Sequence, residues 1–202
     1  GAGDSGAGVG GGASGYAVGC KHIGGAVCGS GSVWGGGASV LRALEGCQRT
    51  LGVDHPWTLP TANNLAILCE KTGRTAEAES LYVRGLDGSE RVLGAEHPDT
   101  LTSLANLGDL RRRQRRYGEA GELLLRALKG RKRVLGAEHP DTLSAMTALA
   151  ALRFHEGRLI EAEMHLGRVV RSMTAVLGAD HPDTIEAEEL LSVVRRGIGG
   201  RT

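Results

Sequence analysis

The chain has 202 residues, with 24 lysines and arginines against 23 aspartates and glutamates, for a formal net charge of +1. Balanced charge singles out no nucleic acid or anionic surface as a partner, and no apolar run reaches the ~18 residues that would mark a membrane-spanning helix. Aromatic residues make up 3% of the chain, so a core must be built from Leu, Val and Ala.

Glycine divides the chain. Of 33 glycines, 16 fall in residues 1–37, a stretch of Gly, Ala, Ser and Val with almost no charge. Such a stretch cannot bury enough surface to offset its ordering entropy, and residues 1–37 are expected to be disordered. Cys20, His22 and Cys28 lie there at spacings that match no zinc framework. The segments GAGDSG (1–6) and GGGASG (10–15) satisfy a phosphate-loop pattern, but neither follows a strand or opens a helix. The N-terminus lacks the basic start and solid apolar run of a signal peptide. It begins with Gly rather than Met, as a fragment or trimmed product would. Cys47 and Cys69 complete the cysteines. Four cysteines without a paired framework read as reduced thiols of a cytoplasmic protein.

From residue 38 a repeat takes over. LGAEHPDT stands at 93–100 and again at 135–142, with the variants LGVDHPWT at 51–58 and LGADHPDT at 177–184. The starts are 42 residues apart, and residues 83–100 agree with 125–142 at 13 of 18 positions. A fixed period of this size marks a repeat array. Within the octet, Leu-Gly reads as a helix end with a left-handed Gly. Pro then opens the next helix, where a missing N–H costs nothing. Asp and Thr suit the positive helix N-terminus. Leu93 and Leu135 are expected to be buried anchors of the joint. His55, His97, His139 and His181 recur with the octet, one per repeat, which is too widely spaced for one metal ion and fits a turn role.

Each octet launches a leading helix with small and apolar residues at i, i+3, i+6 and i+7: Leu59, Ala62, Leu65 and Ala66, then Leu101, Leu104, Leu107 and Gly108, then Leu143, Met146, Leu149 and Ala150. Breaks follow at 71–74, 113–116 and 155–158. A trailing helix then carries the stripes Ala78–Leu86, Ala120–Leu128 and Ala162–Val170. Short breaks force antiparallel neighbours. The expected array over 38–198 is a trailing half repeat (38–51), three hairpins (57–93, 99–135 and 141–177) and a last leading helix (183–196). No strand pattern is present.

At this point the residues carry a family. NNLAILCEKTGRTAEAESLYVRGL (63–86) resembles a tetratricopeptide repeat, and the 42-residue spacing with LGAEHPDT resembles the repeat subtype of kinesin light chains. The resemblance covers about residues 39–196. It implies an all-α, right-handed α-solenoid of antiparallel helix hairpins, and a protein-binding adaptor that grips an extended peptide in a concave groove lined by leading helices. For the kinesin light chain type it further implies an acidic peptide, clamped by groove asparagines and basic side chains. Carried onto this chain, the matching asparagine is Asn63, the first of the Asn63–Asn64 pair, and Asn106 sits level with Asn64; Glu70, Lys71, Asp109, Arg112 and Arg113 are further candidates because they fall on the predicted groove side of the leading helices. Asn63 is matched by Ala105 and Thr147 at 42-residue steps, so two of three positions depart from the pattern.

The strongest charge run is RRRQRRY (111–117). It reads either as a solvated hairpin tip or as an electrostatic seat for an acidic peptide. Nucleic acid is disfavoured, since the run lacks interleaved aromatics and the rest of the chain is not basic. Arg111 falls where the stripe expects an apolar residue, so its stem is expected to pack while its head reaches water. No catalytic constellation, metal site or cofactor is expected, and the chain reads as a non-enzyme. The alternative function is a sensor or oligomerisation arm of a larger signalling ATPase, a role that such arrays take when fused to other domains.

Overall fold

The computed structural model describes residues 33–200, with side chains from Val40 onward. The Cys20, His22 and Cys28 trio and both Gly-rich loop matches lie outside the described residues. Among those described, every regular element is a helix. In chain order they are α1 (Val33–Leu51), α2 (Thr58–Lys71), α3 (Thr75–Val92), α4 (Pro98–Arg113), α5 (Tyr117–Val134), α6 (Pro140–His155), α7 (Leu159–Leu177) and α8 (Pro182–Gly199). The half repeat expected from 38 begins at Val33. Once a packed turn nucleates a helix, each added residue contributes a hydrogen bond, so a few unfavourable glycines can be carried along.

The helices group into two compact units, one ending at Gly94 and one starting at Ala95. In the first, α1 packs on α2 and α2 on α3. Its buried residues include Val40, Leu44 and Cys47 on α1, Leu59, Leu65 and Ala66 on α2, and Ala78, Tyr82 and Leu86 on α3. In the second, α4 pairs with α5 and α6 with α7, while α8 lies against α7. One core cluster joins Ala120, Leu124 and Leu128 to Leu143, Met146 and Leu149. Another joins Ala150, Ala162 and Leu166 to Leu191 and Val194. Most residues of the stripes read from the sequence lie on the buried faces, with Ala62, Leu81, Leu123, His165 and Val170 only half-buried.

The octet is a hydrogen-bonded joint. Gly52, Gly94, Gly136 and Gly178 have φ between 90° and 96°. At Gly178 ψ is 161°, an extended geometry at positive φ that only glycine adopts readily, rather than the expected left-handed helical turn. The histidine then caps the next helix. Nδ1 of His97, His139 and His181 accepts the backbone N–H of Asp99, Asp141 and Asp183, each at 3.2 Å. Pro98, Pro140 and Pro182 open their helices. Thr142 Oγ1 donates back to the Gly136 carbonyl at 2.8 Å, and Thr184 to that of Gly178 at 2.9 Å. In the first octet Trp57 replaces Asp, and its N–H still donates to His55 Nδ1 at 3.2 Å. The histidines thus hold turns. Leu93 and Leu135 are only half-buried, because the chain leaves the helix there, so they anchor the joint less than expected.

The breaks between paired helices share one geometry. Their third residue has positive φ, 78° at Gly73, 62° at Arg115 and 77° at Gly157. Arg115 is the one non-glycine residue with positive φ among those described. The residue before each trailing helix is an arginine that pairs with a glutamate three residues on, as in Arg116 Nε to Glu119 Oε1 at 2.8 Å and Arg158 Nε to Glu161 Oε1 at 2.8 Å. These pairs are exposed and solvent-screened, so they add little to stability.

Candidate functional site

In the second unit α4 touches α6 and α6 touches α8, whereas the trailing helices α5 and α7 do not approach each other as closely. The leading helices thus form a continuous face. Along it runs a groove of about 320 Å³, lined by Ala105, Asn106, Asp109, Arg112 and Arg113 of α4, Ser144, Thr147 and Ala151 of α6, and Asp183, Glu186 and Leu190 of α8. Alanines at the middle of α4 and α6 keep its floor open. Arg131 and Met173 reach it from the trailing helices.

Four of the eight sequence candidates come together here: Asn106, Asp109, Arg112 and Arg113. Asp109 organises the corner. Arg112 donates to its Oδ1 through Nε at 2.9 Å and a terminal nitrogen at 2.6 Å. Arg113 reaches its other oxygen at 2.5 Å. Arg112 also lies 3.1 Å from His155 Nε2 on α6. Although His155 is exposed as a residue, its ring stacks on Tyr117 at a centroid distance of 6.1 Å. Desolvation holds the His155 pKa below the usual histidine value, with Arg112 and Arg115 pushing it further down. Part of this positive charge complements the C-terminal end of the α4 dipole.

The other four candidates lie on α2. Asn63 is buried, Asn64 half-buried and Lys71 exposed, and Glu70 accepts a hydrogen bond from Tyr82 Oη at 3.3 Å. A smaller cavity of about 220 Å³ in the first unit is lined by other residues, among them Gln48, Asp54, Arg84 and Gly85, and by none of these four.

The basic run is largely committed to local partners. Arg111 is 7% exposed. Its head does not reach water as expected. Instead it is held by Glu119 at 3.3 Å and donates to Gln114 Oε1 at 3.0 Å. The run therefore stitches the α4–α5 turn together as well as bordering the groove.

Three charged groove residues stand outside the eight sequence candidates. Arg131, also 7% exposed, donates to the Asp141 carbonyl at 2.8 Å and to Thr102 Oγ1 at 3.2 Å. Burial pulls its pKa down, and Asp141 counters. Asp183 and Glu186 sit on the last leading helix. A signal existed for them: Asp183, Glu186 and Leu190 follow a helical i, i+3, i+7 spacing, and Leu190 stands two repeats of 42 beyond Asn106. Among the described residues no group of three His, Cys, Asp or Glu side chains could hold a metal ion.

This geometry, helix hairpins with a face of leading helices, defines a helical-repeat interaction module. Models described as tetratricopeptide repeat match residues 38–91 and 141–201, and residues 100–141. The chain belongs to the tetratricopeptide repeat family, whose members mediate protein–protein interactions. It is similar to two crystal structures of nearly identical TPR-like repeats from a Podosopora anserina chain designated a kinesin light chain. One of them, a single-substitution form, is 24% identical with a TM-score of 0.70, and covers 93% of this chain and 86% of that one. The other is 24% identical with a TM-score of 0.68, over 93% and 87%. BtubC (BKLC) from P. vanneervenii is 19% identical with a TM-score of 0.72, over 84% of this chain and 67% of that one. At these identities the likeness speaks for the fold. No curated protein matches the sequence.

Proposed function

We propose that the chain is a cytoplasmic, non-enzymatic adaptor that seats an extended peptide segment of a partner protein along the α4–α6–α8 groove. The observation that carries this reading is the convergence of Asn106, Asp109, Arg112 and Arg113 with Ser144, Thr147 and Glu186 on one open face. An asparagine amide offers both a donor and acceptors, which suits a peptide backbone. The alanine floor leaves room for that backbone, and the flanking charges select side chains. Among the described residues no helix is long and apolar enough to cross a membrane. Cys69 is a buried free thiol, which suits a reducing compartment.

The test begins with a random dodecapeptide display library panned on the full chain. Selected peptides are then labelled and titrated by fluorescence anisotropy against the wild type, Asn106→Ala and Ala151→Trp. Ala151 is half-buried and lines the groove, so an indole there obstructs it. Affinity should fall roughly tenfold or more in Ala151→Trp, in line with loss of central contacts, while far-UV circular dichroism is unchanged. Equal affinity in both variants and the wild type would place binding elsewhere and sink this reading.

A further inference from the structure

Among the described residues, α8 is covered on one side only. Its stripe Thr184, Ala187, Leu191 and Val194 is buried, and the helix packs on α7. The equivalent stripe of α6, 42 residues earlier, is buried in the same way as Thr142, Ala145, Leu149 and Leu152. But α6 buries a second stripe as well: Leu143, Met146 and Ala150 are at most 2% exposed, packed with Val169, Met173 and Ala162 of α7. On α8 the matching positions are Ile185, Glu188 and Ser192, and all three are exposed, Ile185 at 44%. A helix with the apolar face of α7 would strand the Glu188 carboxylate among apolar groups, so this stripe suits a polar partner. It also complements itself. Glu188 and Glu189 stand four and three residues before Ser192, and Arg195 and Arg196 three and four residues after it; all four are exposed. Two copies of α8 crossed antiparallel at Ser192 set Glu188 of each opposite Arg196 of the other, and Glu189 opposite Arg195. Ile185 then meets Gly199 of the other copy, where an added Cβ would find nothing within 4 Å.

We propose that this face of α8 is a self-association surface, through which two copies of the chain pair antiparallel about a two-fold axis at Ser192. A two-fold contact needs one patch that complements itself, with residue i meeting j and j meeting i. The order of acids before Ser192 and bases after it meets that requirement. Parallel pairing would instead set Glu against Glu and Arg against Arg, and like charges so placed penalise the wrong arrangement. Arg195 also holds Glu163 of its own chain at 2.9 Å in an exposed pair, so Glu188 and Arg196 carry more of the attraction. The apolar contribution comes mainly from Ile185 and is small. The association is therefore weak, reversible and salt-sensitive. The groove residues Asp183, Glu186 and Leu190 leave α8 on another face. The pair thus holds two grooves in one particle, and a partner that presents two segments gains avidity.

Sedimentation velocity on the full chain over about 1 µM to 1 mM, the range of weak association, should show a monomer–dimer equilibrium that weakens as salt rises. Glu188→Arg/Glu189→Arg makes the stripe wholly basic, and Arg195→Glu/Arg196→Glu makes it wholly acidic. Each double variant alone should lose roughly tenfold or more in dimer affinity, with the far-UV circular dichroism of the wild type. Mixed one to one, the two variants set acid against base at every position, and a heterodimer should return. Misfolding cannot produce that rescue. Ser192→Arg, a single change at the crossing point, should likewise disrupt pairing by holding the two helices apart. A wild-type chain that stays monomeric across the range overturns the proposal and leaves this face to another occupant. A dimer that persists undiminished in the variants lies elsewhere and overturns it too, as do double variants that remain monomeric when mixed.

Discussion

The hairpins differ in how closely their two helices cross, and glycine substitutions read out that difference. Gly85 on α3 and Gly108 on α4 are both buried in helices. A Cβ at Gly85 would meet nothing within 4 Å, and the equivalent positions in the next repeats hold Ala127 and Val169, both at 0% exposure. Gly85→Ala should therefore add about 1 kcal/mol through helix propensity alone. A Cβ at Gly108 would lie 2.9 Å from Leu124 Cγ and 3.2 Å from Leu123 Cβ. Those atoms are close to the main chain, and Leu124 is fully buried, so neither can swing aside. Overpacking costs about 1–3 kcal/mol. Against the same propensity gain, Gly108→Ala should lose about 1 kcal/mol net. With a urea dependence of about 2 kcal/mol per molar for a protein of this size, the midpoints should shift by roughly 0.5 M in opposite directions, as followed by circular dichroism at 222 nm. Gly121→Ala, whose Cβ would sit at an ordinary 3.5 Å from Leu152 Cδ2, is the control within the same unit and should stabilise. A Gly108→Ala midpoint that rises as far as that of Gly121→Ala would refute the close crossing of α4 and α5.

Arg115→Gly should stabilise by about 0.5–1 kcal/mol in the same titration, because a left-handed residue with a Cβ costs about 1–2 kcal/mol and glycine returns part of that as unfolded-state entropy. Thr142→Val keeps the side-chain shape at a fully buried site but leaves the Gly136 carbonyl without its 2.8 Å donor, so a loss of about 1–3 kcal/mol is expected; a loss below about 0.3 kcal/mol would dismiss the lock. Stability should also fall as pH drops from 7 toward 5. Burial lowers the His155 and His165 pKa values in the folded state, so below the ordinary histidine value of 6.5 the unfolded chain takes up these protons first. The loss sets in near that value and levels off below the folded pKa; a His155→Gln/His165→Gln variant should show a flatter urea midpoint between pH 7.5 and 5.5, and an unchanged slope would refute it.

Much of the fold was written in the 42-residue period, because each repeat states the same stop, turn and start in the same letters. The buried stripes followed from helical spacing, and the hairpin breaks fell where the helices end. What stayed hidden depended on geometry that letters do not encode. His139 could be placed at a turn, but its capping of Asp141 N–H requires a rotamer. Arg115 itself reads only as charge, and its positive φ is signalled only by Gly73 and Gly157, which occupy its place in the other hairpins. Leu135 recurs as faithfully as any core residue, yet it sits where the chain turns away and stays half-buried. Recurrence marks a structural role, and burial is only one such role.

The candidate site was legible on one side only, and the reason lies in how charge was counted. RRRQRRY invites a sum, and the sum points to an acidic ligand. In the structure Arg111 is turned to Glu119 and Gln114, Arg116 to Glu119, and Arg112 and Arg113 divide Asp109 between them. The opposing acids, Asp183 and Glu186, lie about 70 residues further on, in a helix that the repeat pattern presents as a terminus. Only the lateral packing of α4, α6 and α8 brings the two charge sets to one groove. In a repeat array the unit of recognition is a row of residues across helices. Charge must therefore be summed along that row, where +42 steps connect positions, before a ligand is inferred from any single run of the sequence.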